Sequence, residues 1–181
     1  MTDKAKVREK VNIERSDEKQ AKEVHGIKPT WRVEKYAEGD DPEEDEPFET
    51  IEHEGNVFLD EGVNLIWNAI NGGTITAFDN TNAEIGVGDG TAAEDSTQTG
   101  LQGDNTLYKG MLSGYPEISG QQITFRAEFT DDEANFSWDE LTVRNDADDA
   151  GDKDNLNRLQ QDMGTKSSGT TWTAELILEI I

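Results

Sequence analysis

Apolar and polar positions alternate through most of the second half of this chain, and only one stretch carries a helical period. Gln122–Phe129 places Ile123, Phe125, Ala127 and Phe129 on one face, the period of two that marks a half-buried strand. Thr171–Ile181 does the same with Trp172, Ala174, Leu176, Leu178 and Ile180. Its other face adds Ile177 and Ile181, so this strand is expected to be buried near its end. Ile85–Gly88, Thr106–Leu112 and Asn135–Arg144 are further strands. In the last of these, Phe136 and Trp138 sit on one parity and Leu141 and Val143 on the other, which calls for a bulge near Asp139-Glu140. Upstream, Trp31–Tyr36 alternates after Pro29, and an acidic loop, Glu38–Pro47, follows. Phe48–His53 and Asn56–Leu59 flank Glu54-Gly55 and read as a hairpin.

Asp60–Asn71, DEGVNLIWNAIN, breaks this alternation. Val63, Ile66, Trp67 and Ile70 recur at i, i+3, i+4 and i+7, which predicts one amphipathic helix over about 60–71 laid on a sheet. Asp60 is placed to cap it, and Gly72-Gly73 to end it. Polar turns at Ser113–Pro116, Ser119-Gly120, Thr130–Glu133, Asp146–Asp154 and Gly164–Gly169 separate the strands. About eight strands and one helix make a mainly β chain, a small β-sandwich for which a jelly roll is one form. Residues 29–181 form this domain, and residues 1–28 an extended, charged N-terminal arm whose apolar stripe is too thin to bury a helix.

Charge changes the picture. The 181 residues hold 16 basic and 40 acidic side chains, a net of −24. Residues 1–28 account for eight of the basic and six of the acidic ones, so residues 29–181 carry eight against 34. Such a body repels nucleic-acid phosphate and anionic membranes, so neither is an expected partner. The acids are interleaved with strand-forming apolar residues, which points to an acidic folded surface suited to strong salt, where the Debye length shrinks to ~3 Å. There is no run of 18 apolar residues to span a bilayer.

Chemistry is sparse. The absence of cysteine removes disulfides, thiolate metal sites and thiol nucleophiles. His25 and His53 are the only histidines and lie in unrelated segments, so a two-histidine metal site is not expected. No Ser stands beside an evident base, and with this many acids any carboxylate pair is an arbitrary choice. The chain is therefore expected not to be an enzyme and to need no cofactor. Asp146, Asp148, Asp149, Asp152 and Asp154 supply the oxygen density calcium prefers, but Ala150 and Asn157 fall where an EF-hand needs ligands. They are a weak candidate for a structural cation. Gly86-Val-Gly88-Asp-Gly90 lacks both the helix and the Lys of a phosphate loop, and Asp89, Glu94 and Asp95 would repel phosphate. It is expected to be a strand running into an exposed loop. Trp31, Trp67, Trp138 and Trp172 lie on predicted core faces, so most are expected in the core, and one at a sheet edge could anchor a partner.

Several stretches carry a resemblance. Glu54-Gly-Asn-Val-Phe-Leu-Asp-Glu-Gly-Val-Asn-Leu-Ile-Trp-Asn68 and Ala77-Phe-Asp-Asn-Thr-Asn-Ala-Glu-Ile-Gly-Val-Gly-Asp89 come first. Tyr115-Pro116, Ile123–Ala127, Ala134–Glu140, Gly164–Lys166 and Thr171–Thr173 follow. Over about residues 31–181 the chain resembles small structural proteins of tailed viruses of bacteria and archaea. The resemblance implies a virion component and brings no catalytic residues with it. The acid load departs from that group and would suit a virus of a salt-loving host such as a haloarchaeon. The expectation is a capsid decoration (auxiliary) protein on the outer surface of the major capsid protein shell, made in the host cytoplasm and assembled as a homotrimer. A tail, neck or fibre adaptor and a carbohydrate-binding host-attachment module are the alternatives. The expected partner-binding residues are Lys4, Lys6, Arg8, Lys10 and Arg15 of the arm, with Trp31 and Tyr36 of the hairpin that follows it.

Overall fold

A computed structural model of the chain describes residues 26–145 and 153–181. They form ten strands and one α-helix: β1 (Ile27–Tyr36), β2 (Glu49–Glu54), β3 (Val57–Phe58), α1 (Asp60–Ile70), β4 (Ala83–Gly88), β5 (Thr106–Gly110), β6 (Glu117–Ser119), β7 (Gln122–Phe129), β8 (Glu140–Asn145), β9 (Asn157–Gln160) and β10 (Thr171–Ile180). The strands make two five-stranded sheets, in the orders β2-β1-β10-β7-β6 and β3-β9-β8-β4-β5. Every pairing is antiparallel. The fold is a small β-sandwich.

The core lies between the sheets, and the alternation read from the sequence supplies most of it. Trp31 and Val33 of β1, Phe125, Ala127 and Phe129 of β7, and Trp172, Ala174 and Leu176 of β10 project from one side. They meet Ile85 and Val87 of β4, Leu141 and Val143 of β8, and Leu159 of β9. At one end Phe129, Trp138 and Trp172 stack edge to face, with centroids 4.8 and 4.9 Å apart. Such contacts add to simple area burial. The inward-facing Lys35 places its ammonium 4.4 Å from the Trp172 ring centre and 2.8 Å from Glu49 at the sandwich margin, which gives it two favourable partners there.

Four expectations need correction. First, β2 and β3 are not a hairpin: β2 pairs with β1 in one sheet and β3 with β9 in the other. Gly55, at φ 111°, turns the chain between layers instead of reversing it within one. Second, β1 starts at Ile27, before Pro29, inside the expected arm. Pro29 is tolerated there because the β1–β2 pairing begins only at Thr30. Third, the parity change after Trp138 is not a bulge in one long strand. Trp138 N–H bonds to Gly164 O in a loop and Asp139 N–H to Gly88 O at the end of β4, each at 2.8 Å, and β8 begins afresh at Glu140. Fourth, the end of β10 is exposed rather than buried, at both Ile180 and Ile181.

The helix forms where expected, but its cap and its face differ. Leu59 occupies the N-cap position with no side-chain hydrogen bond, so Asp60 is the first helical residue and not the cap. Asp60 and Glu61 still place negative charge in the first turn, where the helix dipole favours it. The buried residues are Gly62 and Leu65. Trp67 is 61% exposed, unlike the other three tryptophans.

Charged groups also hold the loops. Lys109 Nζ reaches Glu133 Oε1 and Oε2 at 2.6 and 2.8 Å, and Thr130 N–H donates to the same carboxylate at 2.9 Å. Burial alone would raise the Glu133 pKa, but the bonds from Lys109 and Thr130 outweigh it and leave the pKa lowered. A lowered folded-state pKa gives stability that is present above the ordinary carboxylate range and lost as pH falls through the folded value. Glu133→Gln should therefore cost up to about 1 kcal/mol at pH 7, as befits a partly exposed pair. The gap from wild type should close toward pH 3 in urea unfolding at fixed salt.

Candidate functional site

The glycine-rich strand and loop from Glu84 to Leu101 resolve first, because their backbone does bind an anion. That anion is the chain's own Glu140. Its carboxylate is fully buried and accepts hydrogen bonds from the N–H groups of Gly90, Gln102 and Gly103 at 3.2, 2.9 and 2.7 Å. Arg158, also fully buried, donates from Nε to Glu140 Oε2 at 2.8 Å and brings Nη2 to 2.7 Å from the same oxygen. Its Nη1 reaches back to Ala92 O and Gln98 Oε1 at 3.0 and 3.1 Å. The glycines make room for this. A Cβ at Gly88 or Gly90 would lie 2.6 or 2.4 Å from the Glu140 carboxylate. One at Gly86 would strike the Tyr108 ring at 2.5 Å, and Arg144 packs on that ring 3.3 Å from its centre. The cradle is occupied and structural.

The surface left unpaired is the end of the sandwich where β1 starts and β10 stops. Register explains it. Across the inner face of the first sheet, Trp31, Leu176 and Phe125 form one row, and Pro29, Leu178, Ile123 and Ile118 form the next. Ile27 opposite Ile180 forms the last. The first row is fully covered by the facing layer, whereas Ile180 is 60% and Ile118 75% exposed. The inner face thus runs past its cover. The C-terminal half of α1, with Phe58 and Phe78, covers this region in part and leaves Ile70 71% exposed.

Two adjoining depressions result. One, of about 320 Å³, is lined by Ile27, Phe58, Ile70, Phe78, Ile123 and Leu178 among other apolar side chains. The other, of about 330 Å³, shares Ile27, Ile123 and Leu178 and continues to Ile118 and Ile180. Single exposed apolar residues are ordinary on a protein surface, whereas a contiguous apolar end on so acidic a chain is a candidate contact surface. What it can do chemically is bind another apolar surface.

The outer face of the same sheet is polar and largely self-satisfied. Glu52, Arg32, Glu175 and Arg126 form a row of alternating charge across four strands. Arg32 lies 2.7 Å from Glu52 and 3.1 Å from Glu175, and Arg126 lies 2.9 Å from Glu34 and 3.5 Å from Glu175. Burial raises the Glu175 pKa, and Arg126 and Arg32 pull against it. Tyr36 is pushed up to about 12, by burial first and by Glu34 second. A cleft of about 300 Å³ beside this network is lined by Pro42, Glu43, Leu112, Tyr115, Arg126 and Glu128.

The expected partner-binding residues divide. Trp31 has no exposure and Tyr36 2%, with its hydroxyl donating to Glu34 at 3.1 Å, so neither offers surface to a partner. Lys4, Lys6, Arg8, Lys10 and Arg15 lie outside the described residues, as do Asp146, Asp148, Asp149 and Asp152 of the acidic turn. Asp154 is described, and its backbone pairs with Asn145. Among the described residues no three His, Cys, Asp or Glu side chains are grouped to hold a metal ion. The apolar end was not found from the sequence. Its one signal was the run of isoleucines at 27, 118, 123 and 180, at the strand ends.

In comparisons with known proteins, no family model, curated protein or solved structure matches the chain significantly.

Proposed function

We propose that this chain is a virion structural protein, a capsid decoration protein that binds the outside of a major capsid protein shell and braces it. The observation that carries the reading is the polarised surface: one apolar end on a compact β-sandwich whose chain has a net charge of −24. A protein that coats a particle in brine needs one face that sheds water on contact and others that stay solvated. The segment resemblance to tailed-virus structural proteins supports the same reading. Each copy gains modest area, and repetition over the shell converts it into avidity.

Placement at the tail, neck or fibre is the second form of this reading, and copy number separates them. Purified virions should contain hundreds of copies per particle, counted by quantitative mass spectrometry against the major capsid protein. A handful would move the protein to the tail. Particles lacking it should break at lower temperature and higher salt concentration than complete ones, by infectivity and electron microscopy. Equal resistance would remove the bracing role. The cleft beside Tyr115 favours a carbohydrate-binding module, since it sets an aromatic ring near Glu128 and Arg126.

A further inference from the structure

The chain itself supplies a candidate occupant for the apolar end. Residues 1–25 join the fold at Gly26, next to Ile27, which lines both depressions. They hold seven basic and six acidic residues, which leaves nine basic and 34 acidic for residues 26–181. They thus lack the acidic excess of the remainder taken as a whole, and they include Val7, Val11 and Ile13. We propose that residues 1–25 of one copy seat on the apolar end of a neighbouring copy, linking subunits head to tail. The inference rests on the reading of this end as an assembly surface and names its partner.

Geometry favours a neighbour over the same chain. Gly26 N–H donates to Ile181 O and Ile181 N–H to Gly26 O, both at 2.9 Å, so the chain leaves the sheet still paired and in line with β1. Gly26 is not in the left-handed region, and residues 1–25 contain neither Gly nor Pro. Residues 18–25 hold no Gly, Pro, Asn, Asp or Ser, so the sequence next to Gly26 does not favour a tight reversal onto the chain's own end. Reach is sufficient. Thirteen residues separate Ile13 from Gly26 and span up to ~43–47 Å when extended, against a diameter of roughly 40 Å for a domain of this size. Each copy carries 34 acids in residues 26–181, and the seven basic residues of 1–25 can pair with them at short range as the segment crosses to a neighbour.

The lack of native cysteine makes the test clean. Full-length chains carrying Val11→Cys alone, and others carrying Ile70→Cys or Ile118→Cys alone, are mixed in molar potassium chloride and oxidised. Interchain disulfides should form between Val11→Cys and at least one of the other two. Ile70 and Ile118 are exposed, so these substitutions leave the core intact. In parallel, light scattering should show wild type above its monomer mass of 20.1 kDa. A Val7→Glu/Val11→Glu/Ile13→Glu chain should need at least tenfold higher concentration to associate. Failure of either result overturns the inference. So does a Val11→Cys/Ile70→Cys chain that closes its disulfide only within itself, which would assign the end to the same chain. A low virion copy number with these links intact would remove the shell placement and leave the inference standing.

Discussion

Glu140→Gln is expected to cost about 3–5 kcal/mol of folding stability, the range found when one partner of a buried ion pair is removed. The substitution keeps shape and size but leaves the Arg158 guanidinium buried without its counter-charge, and it turns an amide N–H₂ toward a site built from donors. Gly90, Gln102 and Gly103 all point N–H groups at that carboxylate, so the loop from 89 to 105 loses its anchor as well. Against a typical domain stability of about 5–15 kcal/mol this is a large share. Urea unfolding at constant molar salt measures it as a lower midpoint at unchanged slope. Arg158→Met should cost a similar amount, and the double variant much less than the sum, because the second change removes the charge that the first left stranded. Additive losses would mean that the two groups act independently.

Gly62→Ala is the second large effect, and its sign runs against helix propensity. In an exposed helix the change would gain about 1 kcal/mol. Here an added Cβ would lie 2.4 Å from Leu156 O and 2.6 Å from Leu156 Cα, both main-chain atoms that cannot swing aside. Leu59 N–H donates to Leu156 O at 3.1 Å, so moving that carbonyl also disturbs the entry to α1. Overpacking of this kind costs typically about 1–3 kcal/mol, and a backbone neighbour puts it at the upper end. Gly110→Ala serves as the control, since nothing lies within 4 Å of a Cβ there, and it should stay within about 0.5 kcal/mol of wild type. Thermal unfolding of both variants under one buffer checks the contrast.

Gly62 also shows why the helix was legible in the sequence and its orientation was not. The apolar period of Val63, Ile66, Trp67 and Ile70 is real, but the closest approach to the sandwich is made by the residue with no side chain. The helix rolls toward Gly62 and Leu65, and Trp67 and Ile70 turn outward. A hydrophobic period ranks side chains by size and cannot see a backbone-to-backbone contact. β7 and β10 were legible for the opposite reason, since their alternation is long and each inward position is filled by an apolar side chain. β9 reads Asn-Arg-Leu-Gln and gave no signal, because two of its buried residues are polar and bond to partners distant in sequence, Asn157 Oδ1 accepting from Val143 N–H and Arg158 Nε donating to Glu140. The Glu140 cradle was hidden in the same way. One acid among 40 is invisible until the fold brings glycines 37 and 50 positions upstream around it. The expected hairpin at Glu54-Gly55 failed because a glycine with positive φ serves a change of layer as well as a reversal.

The pairing of β1 with β10 sets the order in which this chain can fold. These strands lie almost at opposite ends of the described sequence, yet they align over ten residues, from Ile27 with Ile180 to Tyr36 with Thr171. β10 also lies between β1 and β7 in its sheet. During synthesis, then, β1 and β2 wait on the one side and β7 on the other until residues 171–180 leave the ribosome. Closure of so long a loop costs entropy before any contact repays it. Topologies of this kind fold in milliseconds to seconds rather than microseconds. Of the ten described strands, β10 is the last to be made and the one that joins the sheet.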